Sequence, residues 1–97
     1  GDIMIIKFYE DQLKALAFDG DKQVGYCEVE EKTENTWAIT HTVVDDNYRG
    51  QGLAEGLVDK VCDKARENNK KILPICSYAV KKFDKETKKY GDIDARA

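Results

Sequence analysis

The sequence holds one proline, one histidine and one tryptophan in 97 residues, and it lacks every common metal-binding spacing. Its three cysteines, Cys27, Cys62 and Cys76, form an odd set with no CxxC, and His41 is the single imidazole, so no zinc site is expected. No apolar run approaches the ~20 residues of a membrane span, and the apolar start at residues 3–6 lacks the basic flank of a secretory signal. A basic surplus is missing too. The net charge is −3, which excludes the global positive field of a general nucleic-acid binder. Free thiols without a signal imply a cytoplasmic protein that does not bind membranes.

What is present is the balance of a folded chain. Hydrophobic residues make up 41% and charged residues 36%, which is too apolar for disorder. The length suits one domain over residues 1–97, with Gly1-Asp2-Ile3 ahead of Met4 read as an added leader and residues 91–97 as a polar tail. A monomer and a homodimer are equally compatible with this size.

The first half reads as strands at residues 3–9, 13–19, 23–31 and 36–44, the last dense in Trp, Ile, Thr and Val. Asp19-Gly20 marks a tight hairpin and residues 32–35 a polar connection. The pattern changes at Asp45. After a turn-rich stretch, Leu53, Leu57, Val58, Val61, Cys62 and Ala65 fall at helical spacing, with Asn68-Asn69 ending the helix. Residues 71–76 form a short strand in which Pro74 signals a bulge, a strand start or a sheet edge. Ser77 is placed to cap a last helix over residues 78–89, with Gly91 as its stop. The expected class is α/β (α+β): an antiparallel meander, then strand, loop, helix, parallel strand and helix, with the sheet splaying near Val44.

Gly50 and Gly52 lie between a strand end and a helix start. Glycine permits φ > 0 and close approach by a ligand there, while the first helical amides and the helix dipole favour an anion. Arg49 strengthens that bias. A Walker loop needs Gly-Lys-Ser/Thr, but Leu53-Ala54 follow Gly52. A dinucleotide fold wants the loop after the first strand of a long parallel sheet, and here it follows a meander. The lysines at 81, 82, 85, 88 and 89 are either a solvated helix face or phosphate contacts.

Arg49-x-x-Gly52-x-Ala54 resembles the Q/R-x-x-G-x-G/A signature of the GCN5-related acetyltransferases. The stretch from residue 5 to residue 92 also resembles a short branch of that superfamily, the YjdJ-type acetyltransferases. The matching pieces are His41-Thr42-x-Val44, Arg49-Gly50-Gln51-Gly52-Leu53-Ala54, Ala65-Arg66-Glu67-Asn68-Asn69 and Cys76-Ser77-Tyr78. The resemblance implies an acetyl-CoA-dependent N-acetyltransferase with an amine acceptor. It also implies that Arg49, Gly50, Gln51, Gly52, Leu53 and Ala54 hold the pyrophosphate of coenzyme A. The pantetheine arm would run along the backbone of Thr42, Val43 and Val44, where one amide could serve as an oxyanion donor.

Three side chains are candidates for catalysis. Cys76 is either a thiolate nucleophile or a small polarisable wall of the site. His41 is either a general base or a buried, hydrogen-bonded structural residue sharing a face with Trp37, Ile39 and Val43. Tyr78 is either a proton donor to the leaving thiolate or packing at the helix start, and Tyr48 reads as loop packing on the adenine side. Cys27 and Cys62 read as core. The few acid/base residues keep a second function open, a non-catalytic acyl-CoA-binding module. A generic interaction domain without cofactor is disfavoured by Arg49 and the loop's context.

Overall fold

A computed structural model describes residues 4–97, and Ile3 and the rest of the expected leader lie outside them. Four strands, β1 (Met4–Tyr9), β2 (Lys14–Asp19), β3 (Lys22–Thr33) and β4 (Thr36–Val44), form the expected meander. Helix α1 (Leu53–Glu67) follows the glycine loop, and β5 (Lys71–Pro74) returns parallel to β4. The sheet order is β1-β2-β3-β4-β5. Helices α2 (Ser77–Lys85) and α3 (Thr87–Tyr90) complete the chain's regular structure. The class is the mixed α+β arrangement expected.

Period-two burial decides which face of the sheet is covered. Ile6 and Phe8 of β1, Ala15 and Ala17 of β2, Cys27 of β3 and Ile39 of β4 face α1, which buries Leu57, Val58, Val61, Cys62 and Ala65 against them. Burying each of those Leu and Val side chains contributes roughly 1.5–3 kcal/mol. The layer is thin because small residues lie under the helix: a Cβ on Gly56 would come within 2.7 Å of Ile6 Cδ1. The opposite face carries Ile5, Lys7, Leu16, Tyr26 and Glu28, and no helix of the described residues lies over it.

Three β-bulges shape the meander. One falls on β3 where Val24 is the extra residue, between the Phe18–Gln23 and Ala17–Gly25 pairs. A second falls on β3 at Lys32, between the Glu31–Trp37 and Thr33–Thr36 pairs. The third falls on β4 at Thr40, since Val29 pairs with Ile39 and Glu28 with His41. An extra residue reverses the alternation beyond it. Trp37 and Ile39 therefore face the core, where Trp37 stacks on Phe8 with centroids 5.7 Å apart, while His41 joins Glu28 on the open face. His41 was expected on the face of Trp37, and the bulge removes it.

Four further expectations need correcting. The β3–β4 connection is Glu34-Asn35 alone, because polar residues through Thr33 still pair with β4 on a ladder that borders solvent. The cap of α2 is Cys76 and not Ser77: Ala79 N–H donates to Cys76 Sγ at 3.5 Å. The last helix is two helices, broken at Glu86 (φ −116°, ψ 63°), and Gly91 is right-handed (φ −60°), so no left-handed stop exists there. The segment after Tyr90 is also more than a polar tail. Ile93 is 4% exposed, and Ile72 N–H donates to Ile93 O at 2.6 Å while Ala95 N–H donates to Ile72 O at 2.8 Å, covering the β5 edge. By contrast Asn68-Asn69 ends α1 as expected. Asn69 takes φ 58°, and Lys70 N–H donates to Ala65 O and Asn69 N–H to Arg66 O, a Schellman closure.

Candidate functional site: the cleft between β4 and α1

The site begins where two parallel strands part. Residues 36–39 of β4 pair with residues 71–74 of β5, and the ladder stops at Ile39 and Pro74. Proline cannot donate to extend it. Ile39 O instead accepts from both Ile75 N–H (3.0 Å) and Cys76 N–H (3.1 Å), which turns the chain into α2. Beyond Ile39, β4 runs on to Val44 with no strand beside it on that side among the described residues. This is the splay expected near Val44.

The glycine loop closes the far end of the gap. A single 3₁₀ turn at Asp46–Tyr48 is tied down by Asp45 N–H donating to Val24 O (2.8 Å) and Tyr48 Oη donating to Asp19 Oδ2 (2.6 Å). Lys22 Nζ lies 5.5 Å above the Tyr48 ring. Tyr48 thus anchors the loop to the β2–β3 hairpin. Gly50 (φ 81°) and Gly52 (φ 80°) are left-handed, a region that costs an L residue roughly 1–2 kcal/mol. Gly52 is the N-cap of α1 and supplies no side-chain cap. The amides of Leu53, Ala54 and Glu55 therefore head the helix without intrahelical partners, at the positive end of its dipole.

Between these walls lies a cleft of about 420 Å³. Of the expected cofactor residues, Thr42, Val43, Val44, Arg49, Gly50, Gly52, Leu53 and Ala54 line it, and exposed Gln51 does not. Tyr48, Glu55 and Tyr78 complete the lining. Arg49 is 71% exposed and its Nη2 lies 3.2 Å from Asp46 Oδ1, a pairing that solvent screens and a ligand could displace. Glu55 is held by Lys82 and lies 3.9 Å from Lys89 Nζ, which together pull its carboxyl below the usual range. Lys82 also pairs with Glu86, and Lys89 with Asp59 at 2.9 Å. Two of the five late lysines thus dock α2 and α3 on α1, while Lys81, Lys85 and Lys88 are exposed.

The three catalytic candidates separate. Cys76 sits at the inner end of the gap, its Sγ 3.4 Å from Thr42 Oγ1. Tyr78, the second residue of α2, lines the cleft, and burial raises its hydroxyl above the ordinary tyrosine value, so it stays protonated near neutrality. His41 stands apart: its side chain is 65% exposed and its Nδ1 lies 3.6 Å from Glu28 Oε1 on the open face. Cys27 and Cys62 are fully buried, and burial pushes both thiols up to about 12. Sequence reasoning missed Glu55 in the lining, although its place three residues after the capping glycine was a usable signal. It also missed that Cys27 reaches the site, since Thr42 Oγ1 donates to Cys27 Sγ at 3.6 Å, a contact that depends on strand register.

Residues 14–93 match the family model described as GCN5-related N-acetyl-transferase. The chain belongs to the GCN5-related N-acetyltransferase family. A GCN5-like protein from Staphylococcus aureus, solved by NMR, is 32% identical with a TM-score of 0.73, over 93% of this chain and 86% of that one. A structure from Bacillus anthracis, described as a streptothricin acetyltransferase in complex with acetyl coenzyme A, shares 15% identity and a TM-score of 0.63 over 88% of this chain and 68% of its own. The Escherichia coli GCN5-related protein YhbS in complex with CoA gives 17% and 0.64 over 82% and 65%. The chain thus spans most of the first structure and about two thirds of the other two. No curated protein matches the sequence. Family membership agrees with the expected enzyme class, acetyl transfer from acetyl-CoA. No helix of the described residues is long and apolar enough to cross a membrane.

Proposed function

We propose that this chain is an acetyl-CoA-dependent N-acetyltransferase of the short YjdJ-type branch, built as one domain. The observation that carries the reading is the cleft itself. An uncapped helix N-terminus with left-handed glycines faces an unpaired strand segment, Tyr78 lines the cleft, and Cys76, outside the lining itself, lies where β4 and β5 part, beside Thr42. Such a helix end suits a pyrophosphate. The amides at residues 50–55 bind it, with Arg49 moving from Asp46 to the phosphates. The backbone of Thr42, Val43 and Val44 takes the pantetheine arm as a substitute for a sixth strand. Bound acetyl-CoA supplies the thioester.

Cys76 and Tyr78 divide the transfer. The Cys76 thiolate attacks the carbonyl carbon, a bond from Sγ to the acetyl group forms, and the bond to the coenzyme sulfur breaks. Tyr78 Oη gives its proton to the departing thiolate and regains one from solvent. A neutral amine then takes the acetyl group from Cys76 and loses a proton, and the free thiolate returns. His41 takes no part in this scheme, because it lies on the opposite face of β4.

A second reading, a non-catalytic acyl-CoA-binding module, is favoured by one observation: Glu55, the one carboxylate lining the cleft among the described residues, is already paired with lysines. Intact mass after incubation with acetyl-CoA separates the two. The enzyme reading expects a single acetyl adduct that Cys76→Ala removes and that a panel of amines discharges. Binding of acetyl-CoA with neither adduct nor turnover would leave the module.

A further inference from the structure

Cys76 does not stand alone at the end of the cleft. Its Sγ lies 3.4 Å from Thr42 Oγ1, and the same hydroxyl lies 3.6 Å from the sulfur of Cys27 on the neighbouring strand. Register brings this about: Cys27 pairs with Thr42 in the antiparallel ladder, and both point to the covered face beyond the Thr40 bulge. On its other side Cys76 Sγ accepts from Ala79 N–H at 3.5 Å, at the N-terminus of α2. We infer that Cys27 and Thr42 are positioning residues that hold the Cys76 sulfur and support it as a thiolate.

A hydroxyl has one proton and two lone pairs. With Cys76 as a thiol, Thr42 donates to Cys27 and accepts from the Cys76 S–H. With Cys76 as a thiolate, the Thr42 O–H turns to Cys76 and the Cys27 S–H donates to Thr42 in its place. Cys27 serves this second arrangement because, fully buried, it keeps its proton at neutral pH. The thiolate then has two donors, the Thr42 hydroxyl and the Ala79 amide, at a helix end that favours negative charge. The proton lost from Cys76 passes to solvent. Of the other titratable groups nearby, Tyr78 follows on the same helix and is protonated, while His41 and Glu28 face the opposite side of the sheet, from where the Glu28 carboxylate adds to the rise of the Cys27 thiol.

The inference rests on the proposed function only for what the thiolate does afterwards, and its test needs no acetyl-CoA. The rate of Cys76 alkylation by iodoacetamide, read by peptide mass across pH 5–10 in the full chain, gives the thiol's titration midpoint. Thr42→Val should raise that midpoint by about one pH unit, the loss of one hydrogen bond to a charged group. Thr42→Ser should restore it, and Cys27→Ala should raise it by about half a unit. Melting curves establish that each variant is folded, and Cys27→Ala keeps the test decisive if Thr42→Val is not. An unmoved midpoint in folded Thr42→Val, or in folded Cys27→Ala, would overturn the arrangement. A normal profile in all variants alongside loss of acetyl transfer in Cys76→Ala would refute this inference and leave the proposed function intact.

Discussion

Replacing Gly52 by alanine isolates the backbone from every other property of the loop. Gly52 sits at φ 80°, and a Cβ added there meets no protein atom within 4 Å. Steric fit to neighbours therefore contributes nothing, and the whole effect is the cost of left-handed backbone for an L residue, about 1–2 kcal/mol. That energy must appear in one of two places. If alanine keeps the left-handed conformation, stability falls by that amount, and the melting temperature of a chain this size drops by about 5–15 °C. If the loop relaxes to negative φ, stability is spared but the amides of α1's first turn move, and acetyl-CoA affinity falls about 5- to 30-fold. Thermal melts combined with calorimetric titration of acetyl-CoA measure both quantities on one sample. Their sum should lie near the stated range. Unchanged stability together with unchanged affinity would mean that the left-handed backbone at Gly52 carries no such cost, and a loss confined to affinity but far beyond 30-fold would mean that more than this backbone cost is at stake.

Three further outcomes follow from particular contacts. Arg49→Ala removes an exposed fork whose screened pairing with Asp46 a phosphate would replace, so acetyl-CoA should bind about 5-fold more weakly, with a shallower dependence on salt, in the same titration. Leu57→Ala empties a fully buried position between α1 and the sheet and should cost about 2–5 kcal/mol by chemical denaturation, with the fold otherwise retained. Arg66 holds Asp92 at 2.7 and 2.9 Å and donates to Lys89 O at 3.0 Å, which keeps the Asp92 carboxyl below its ordinary 3.8. A depressed folded value stabilises above the unfolded pKa and is lost as pH falls through it. Melting temperatures of the wild type and Arg66→Ala should therefore differ at pH 5–7 and converge below about pH 4; a constant gap down to pH 2 would count against the pairing.

The elements legible in the sequence were those with a strong local composition or a continuous apolar stripe. Residues 36–44 and 53–67 are strand and helix at the expected bounds, because one is rich in β-branched and aromatic residues and the other carries a full apolar stripe. What escaped was register. One extra residue at Thr40 moves His41 from the covered face to the open one, and nothing in the local sequence marks the bulge. The same register sets Cys27 opposite Thr42, so a core cysteine became part of the site's surroundings. The C-terminal segment escaped for another reason. Its polar composition hides Ile93 and the Arg66–Asp92 pairing, which matter only once β5 offers an edge to cover. The cleft's lining was legible because glycine at φ > 0 before an amphipathic helix is a local signature, whereas the inner end depends on contacts 15 and 34 residues apart in sequence.

The central claim is that acetyl-CoA occupies the gap between β4 and the start of α1. Amide chemical shifts recorded during titration with acetyl-CoA test it without reference to turnover. Saturable shifts are expected at residues 42–44 and 50–55, with Ala79 and Cys76 moving as the thioester reaches the inner end. Shifts spread evenly over the open face of the sheet, or none at millimolar acetyl-CoA, would contradict it.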